Sequence, residues 1–335
     1  MDGRTDGSDG SEDSDRFDSE FQFELALCAA LEREDRVVAR QLGGAVATPG
    51  ARIVDVCVLE PGPGFDDRAA ITADSIPPAA LEAGVGPGTA VPVADAFDLP
   101  PDRARGVVDR AVDVGYLERE RRNGRDLVRA TARYPDDWFD RLVAIENKPD
   151  LGRPGDLRSQ LRFDVALGLF EEVWLATASH VTRAHLNRIP EAVGVRRVDP
   201  RTGDRRVVRE AATLPAEDPG VEIGEDHGLR TDVAIVSPDA KARKRRRIAE
   251  RAYGRGWRPD PPACAHATGT ADGRPYCERF ERVVDPGSDC GERCRAYHSD
   301  DPPAIDCEAL REANSAWVRD PSSAPRRQSG LDRFG

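Results

Sequence analysis

The sequence predicts an α/β protein with a central mixed sheet flanked by helices. An inserted segment interrupts it and a cysteine-rich module follows it. Three observations carry this reading. Mostly apolar runs of strand length (the β-branched residues 52–59, then 141–148 and 172–177) alternate with stretches of helical apolar spacing. Residues 69–140, between the first two runs, change to short helices and a basic hairpin. Beyond residue 263, five cysteines crowd into a stretch rich in Gly and Pro and poor in apolar residues.

At 335 residues the chain is long enough for two domains and a small module. Acidic residues exceed basic ones by 12, and of the 49 basic residues only Lys148, Lys241 and Lys244 are lysine. This balance suits a salt-rich cytoplasm, where excess carboxylate keeps the surface hydrated. Net charge alone argues against nucleic acid. Strong salt also weakens phosphate contacts, so local geometry carries more weight than global charge. No apolar run approaches the ~20 residues of a membrane span. Residues 1–18 lack the apolar core of a signal peptide and read as a disordered acidic tail. A soluble cytoplasmic protein is expected, its seven cysteines reduced or metal-bound rather than disulfide-paired.

The elements follow in order. Apolar residues at Phe21, Leu25, Cys28, Ala29 and Leu31 predict a first helix over 21–42, ended by Gly43-Gly44. The strand at 52–59 contains Asp55, which is costly to bury unless paired or bound to metal. Core segments are expected at 19–68 and 141–236, with 69–140 inserted between them. Inside the insertion, residues 76–81 and 93–99 supply short helices, and 103–114 an amphipathic helix stopped by Gly115. Strands at 116–120 and 126–130 flank a basic turn containing Asn123-Gly124, a strong hairpin signal. Helix, Gly, strand, basic turn, strand looks like the C-terminal half of a winged helix. Arg103, Arg105 and Arg110 would lie on its recognition helix, and Arg119, Arg121, Arg122 and Arg125 in its wing. Arginine suits phosphate and groove contacts, and Glu118 and Glu120 dilute the charge. The bland alternative is a substrate-shaping or dimerising insertion.

After the strand at 141–148, apolar residues at Leu157, Leu161, Val165 and Leu169 predict a helix over 154–170. With the strand at 172–177 this makes a βαβ unit. A helix at 181–188 and strands at 193–198 and 205–210 follow, the last two joined by a hairpin at 199–204. The segment 237–262 reads as a basic helix and linker. A run such as 241–247 is usually a solvated helix face; in an acidic chain it is also a credible phosphate track, through Lys244 and Arg245. Residues 321–335 read as a tail.

Glu146-Asn147-Lys148 ends an apolar strand. Alternation turns Glu146 and Lys148 one way and Asn147 the other. A carboxylate and an ammonium side by side can hold a divalent metal and the water beside it, and lysine is the compact, tunable cation. Alone, Glu-x-Lys is most often surface charge. Glu24 and Gln160 have the same bland reading on helix faces, and Asp164 reads as a solvated helix residue. Taken in order, Glu24 on a helix, Asp55 on a strand, Glu146 and Lys148 on a strand and Gln160 on the next helix resemble the PD-(D/E)XK nuclease superfamily. The branch resembled is that of the recombination-type exonucleases, where Gln follows on the helix. The resemblance covers residues 20–60 and 140–210 and implies a restriction-endonuclease-like core. It also implies Asp55 and Glu146 as Mg²⁺ or Mn²⁺ ligands and Lys148 as the residue that orients the attacking water. Glu24 would complete the metal shell, and Gln160 would support Lys148 or the phosphate. The roughly ninety residues between Asp55 and Glu146 would be explained by the insertion. The whole chain also looks like an uncharacterised halophilic archaeal family, which supplies no activity.

Cys264, Cys277, Cys290 and Cys294 fit a four-thiolate site, with His266, His298 and Cys307 in reserve. Cys28 and Cys57 read as core packing. A module over 263–320 without its own core would draw folding energy from Zn²⁺, or alternatively from an iron–sulfur cluster. The expected function is metal-dependent hydrolysis of DNA phosphodiesters in repair or recombination. The rival reading is a non-catalytic winged-helix DNA-binding regulator on a nuclease-like scaffold. A third is an interaction module organised by the cysteines.

Overall fold

The apolar run Leu142–Ile145 and the Glu146 and Asn147 that follow it are buried throughout, which requires cover on both faces. The computed structural model describes residues 19–32, 35–153 and 155–321; the predicted tail 1–18 and, apart from Pro321, the predicted tail 321–335 lie outside these residues. In chain order, α1 (Glu20–Glu32), β1 (Val37–Gly43) and β2 (Ile53–Pro61) come first. α2 (Phe65–Ala69) follows β2, and the inserted segment then carries α3 (Pro78–Glu82), β3 (Val91–Pro92), α4 (Val93–Ala96), α5 (Pro101–Asp113), β4 (Leu117–Arg122) and β5 (Arg125–Ala130). Then come β6 (Phe139–Asn147), α6 (Leu157–Leu167), β7 (Glu172–Thr177), α7 (Arg183–Leu186), β8 (Gly194–Val198) and β9 (Arg205–Arg209). A hairpin of β10 (Gly220–Asp226) and β11 (Thr231–Val236) leads into α8 (Pro238–Arg255). The last module holds β12 (Ala267–Gly269), β13 (Pro275–Cys277), β14 (Arg282–Val283) and α9 (Cys307–Asn314).

The protein is mixed α/β around a six-stranded mixed sheet of order β1-β2-β6-β7-β8-β9. β6, β7 and β8 run parallel, and the other neighbours are antiparallel. Gly168, at φ 60°, caps α6 in the left-handed region and turns the chain back toward β7. One face of the sheet packs under α1, with Phe23, Leu27 and Leu31 against Val56, Val58, Val143 and Ile145. The other face packs under α6 and α8, with Leu157, Leu161, Ile248 and Tyr253 against Cys57, Leu59 and Leu142. Each fully buried aliphatic side chain of this kind contributes about 1.5–3 kcal/mol.

The single helix expected over 21–42 divides. Its second half is β1, because β-branched Val37 and Val38 pair with Val58 and Leu59 of β2. Asp35, at φ 53°, turns the chain between the two. The segment 237–262 is more than a linker: α8 buries Ile248, Ala249, Ala252 and Tyr253 in the main core. The helix expected over 181–188 shortens to α7. It carries Asn187 and Arg188 beyond its end and is held by a Thr182 cap.

The inserted segment has its own core, including Ile76, Ala80, Val108, Tyr116 and Val128. Its small sheet has the order β3-β5-β4. A buried ion pair anchors it: Arg68 Nε and Nη2 donate to Glu250 of α8 at 2.6 and 2.7 Å. Glu250 also accepts from the Ile76 amide at 2.9 Å and the Tyr134 hydroxyl at 2.9 Å. No helix among the described residues is long and apolar enough to cross a membrane.

Candidate functional site: a carboxylate cluster at the end of the central strand

The β2–β6 register pairs Val56 with Ile145, so the next residues outward are Asp55 and Glu146. The insertion leaves from the far end of both strands, so the long sequence gap does not separate them. The Asn147 amide donates to Asp55 Oδ2 at 2.9 Å, fixing that carboxylate at the strand end. The Asn147 side chain faces α1 and donates from Nδ2 to Glu24 Oε2 at 3.2 Å. Its Oδ1 is buried without a hydrogen-bond partner.

A kink in β1 assembles the α1 side. Gln41 has φ 55°, uncommon for a residue with a side chain. The ladder steps from Arg40↔Val56 to Leu42↔Val54 with no paired step at Gln41 and Asp55. The kink brings Arg40 Nε to 2.5 Å and Gln41 Nε2 to 2.9 Å from the Glu24 carboxylate. Glu24 is therefore buried rather than an exposed helix carboxylate. Burial raises its pKa despite Arg40.

On the opposite face, Arg52 joins two carboxylates. Its Nη2 lies 2.6 Å from Glu146 Oε2 and 2.7 Å from Asp164 Oδ2, and its Nε lies 3.0 Å from Asp164 Oδ1. Asp164 is 3% exposed, which corrects its reading as a solvated helix residue. Position i+4 from Gln160 turns Asp164 toward the sheet. Gln160 itself is half-buried one turn earlier on the same helix face. Burial, then the Asp55 charge, pushes Glu146 up to about 7. Burial likewise raises Asp55 and Asp164. Burial would lower Arg52, but the hydrogen bonds and charge of Asp164, with those of Glu146, hold it above its ordinary value. These directions agree physically. One guanidinium cannot neutralise three neighbouring carboxylates, so it stays charged while the carboxylates hold protons more tightly.

Lys148 lies one residue beyond the end of β6, where strand alternation no longer sets direction. Its Nζ is 3.0 Å from Glu20 Oε1 on α1. Among the described residues, Glu20, Glu24, Asp55, Glu146 and Asp164 thus meet Arg40, Arg52 and Lys148. With all of them ionised, five carboxylates against three cations leave a formal excess of two negative charges, which the raised carboxylates relieve by holding protons. No three His, Cys, Asp or Glu side chains among the described residues form a ready-made metal shell. Mg²⁺ does not need one, since it takes one or two carboxylates and keeps several waters.

The family model of DUF5787, a family of unknown function, matches residues 37–299. The chain belongs to DUF5787. No curated protein and no solved structure matches it significantly.

In this DUF5787 protein the predicted DNA-facing arginines divide into two groups. Arg103, Arg105 and Arg110 are exposed on α5, and Arg121, Arg122 and Arg125 are exposed around the β4–β5 turn. Arg119 pairs with Asp109, Arg105 with Asp102 at 3.3 Å, and Arg122 with Glu120 at 3.2 Å. The run 241–247, by contrast, is not an open cationic stripe. Lys241 is buried and donates to the Pro215 and Asp218 carbonyls at 3.1 and 2.8 Å. Arg245 donates to the Leu169 carbonyl at 2.5 Å and pairs with Glu171. Lys244 is half-buried, facing Gly43. Lys241 and Arg245 thus fasten α8 to the segments at 169–171 and 215–218, so these two cations are turned away from the open face of the helix.

Cys264, Cys277, Cys290 and Cys294 of the DUF5787 chain line one cavity of about 30 Å³, with His266 at its wall. Burial, then Asp289 and the neighbouring thiols, pushes Cys290 up to about 11. Cys307 stands apart at the start of α9, near Arg258 and Asp260. Cys28 and Cys57 are buried in the two faces of the main core.

Sequence reasoning missed Arg52, Asn147, Arg40, Gln41 and Glu20. Two signals were available. Glu20 and Glu24 share a helix face by i,i+4 spacing, as do Gln160 and Asp164. Nothing in the local sequence announces the kink at Gln41.

Proposed function

We propose that this protein is a metal-dependent phosphodiester hydrolase acting on DNA, with the fold of a restriction-endonuclease-like core. The observation that carries this reading is the placement of Asp55 and Glu146 on neighbouring strands, with Lys148 just beyond and Glu24 behind Asp55. The order helix, antiparallel three-strand meander, helix, parallel strand (α1, β1, β2, β6, α6, β7) supports the same core. The hard oxygen donors Asp55 and Glu146 suit Mg²⁺ or Mn²⁺, and the formal local charge excess of two matches one divalent ion. When bound, such an ion polarises a phosphoryl oxygen and lowers the pKa of a water.

The chain's own residues prepare the rest. Asn147 orients the Asp55 carboxylate through its amide. Lys148, held at 3.0 Å by Glu20, would offer its ammonium to the charge that develops on the phosphate in the transition state. Arg52 holds Glu146 and Asp164 in place. The inserted segment, ordered helix, strand, helix, helix, strand, strand, supports a winged helix that contacts DNA through α5 and the β4–β5 turn. The four thiols around one cavity support Zn²⁺, or an iron–sulfur cluster, as the staple of the last module; the thiols would have to draw inward to complete a tetrahedral shell.

One observation favours a second reading. Arg52 already satisfies Glu146, as it would in a scaffold that binds DNA without cutting it. The test is incubation of the purified protein with single-stranded, duplex and branched DNA in high KCl with Mn²⁺. Cleavage lost in Glu146→Ala and in Lys148→Ala supports the hydrolase. Salt-sensitive binding without cleavage supports the regulator.

A further inference from the structure

A cleft of about 1290 Å³ is walled by two different modules, and its lining includes Pro149 and Asp150, next in sequence to Lys148 of the carboxylate cluster. Arg197, Arg201, Arg205 and Arg206 of the β8–β9 hairpin form one wall; Arg274 and Arg282 of the cysteine module belong to the other. Asp150, Asp199, Asp204 and Glu281 also line it, and Arg274 and Arg282 are ion-paired with Asp272 and Asp289, so the surplus of cations lies on the hairpin wall, where four exposed arginines stand with Asp199 and Asp204. The carboxylates are partly committed: Asp199 Oδ1 accepts from the Arg201 and Thr202 amides at 2.9 and 3.3 Å and shapes the hairpin turn. Arg201 and Arg206 are exposed. The floor begins where the candidate site ends. Pro149 and Asp150 directly follow Lys148, and Gln22 projects from α1 on the side away from Glu20 and Glu24. Gln22 Nε2 donates to the Val283 carbonyl at 2.7 Å, joining the two walls at the base. The Tyr276 ring is half-buried in the wall.

We propose that this cleft is the track along which single-stranded DNA reaches the carboxylate cluster. A cleft with a basic wall on one side and an aromatic ring on the other suits a single strand bound without sequence preference: the hairpin arginines follow the backbone and a base stacks on Tyr276. A duplex keeps its bases stacked and its phosphates outside, whereas a single strand can lay a base on the Tyr276 ring. The proposal names the substrate form for the hydrolase reading and rests on it for the chemistry; the binding itself is measured separately.

The experiment is fluorescence anisotropy of a labelled single-stranded oligonucleotide and its duplex, in EDTA so that nothing is cut, across a KCl series. The proteins are the full chain and its R201E/R206E variant. Both substitutions are exposed, and an unchanged melting temperature verifies the fold. The full chain is expected to bind the single strand more tightly than the duplex. The variant should lose affinity for the single strand about tenfold or more, and its salt slope should fall by about 1.4, two phosphate contacts at about 0.7 each. Tyr276→Ala should weaken single-strand binding with no change in that slope. Single-strand binding left intact by R201E/R206E, or duplex preferred with the same insensitivity, overturns the track. Strong, hairpin-dependent binding without cleavage when Mn²⁺ is restored keeps the track and overturns the hydrolase.

Discussion

Arg52 Nη2 stands 2.6 Å from Glu146 and 2.7 Å from Asp164, joining β2, β6 and α6 through one buried guanidinium. The sheet end is held by this shared cation rather than by apolar contact. Arg52→Ala leaves two buried carboxylates without their partner, a loss of about 3–5 kcal/mol. Urea denaturation at neutral pH should report it. Arg52→Lys should recover only part, because an ammonium cannot reproduce the forked contact. A loss below about 1 kcal/mol for the alanine variant contradicts the bridging role.

Glu146 titrates near 7 in the folded chain, above its ordinary 4.5. A carboxylate whose folded pKa is raised binds its proton more tightly folded than unfolded. Its contribution is therefore fully present below pH 4.5 and is lost as pH rises toward and through 7. The size is about 3 kcal/mol from the shift. Asp55, Glu24 and Asp164 act in the same direction. Stability measured from pH 5 to 8 should flatten in Glu146→Gln, which keeps the Arg52 acceptor and removes the titration. An unchanged pH slope would show that Glu146 titrates normally.

Lys148 and Glu20 form a partly exposed pair, 24% and 52% accessible. Pairs of this kind contribute at most about 1 kcal/mol. Lys148→Ala should leave the melting temperature nearly unchanged while abolishing Mn²⁺-dependent cleavage. Glu20→Ala should retain cleavage. Loss of fold in Lys148→Ala would place the residue in the scaffold instead.

Glu250 ties the inserted segment to α8 through Arg68, Tyr134 and the Ile76 amide. Glu250→Ala strands a buried arginine, again at about 3–5 kcal/mol. Limited proteolysis should then cut first in the loops around residues 70–77, before the main sheet opens. Simultaneous loss of both parts would mean that the two cores do not separate.

The cysteine module has few buried apolar side chains, Val284 among them. If Zn²⁺ holds it, mass spectrometry should find one ion per chain, and chelation should expose residues 263–320 to protease while the main core persists. Cys290→Ser should lower the metal content. A colourless protein without metal, insensitive to chelator, counts against both zinc and an iron–sulfur cluster.

Period and composition alone determined the strands at 52–59, 141–148 and 172–177, the helix between the last two, and the basic hairpin of the insertion. Local sterics and alternation act over a few residues, so a linear reading recovers them. The same logic put Asp55 and Glu146 on strands, and a buried polar residue in an apolar run marked each as unusual. Tertiary structure decided the rest. Only the sheet order makes Asp55 and Glu146 neighbours across a long insertion. Only the positive φ at Gln41 brings Arg40 and Gln41 to Glu24. The lysines and arginines of 241–247 look alike on paper, yet packing turns Lys241 and Arg245 inward to carbonyls and a carboxylate. Arg52 was legible as the start of a strand and illegible as the cation of the cluster. Its partners come from β6 and α6, and pairing between segments so far apart leaves no periodic trace in the chain.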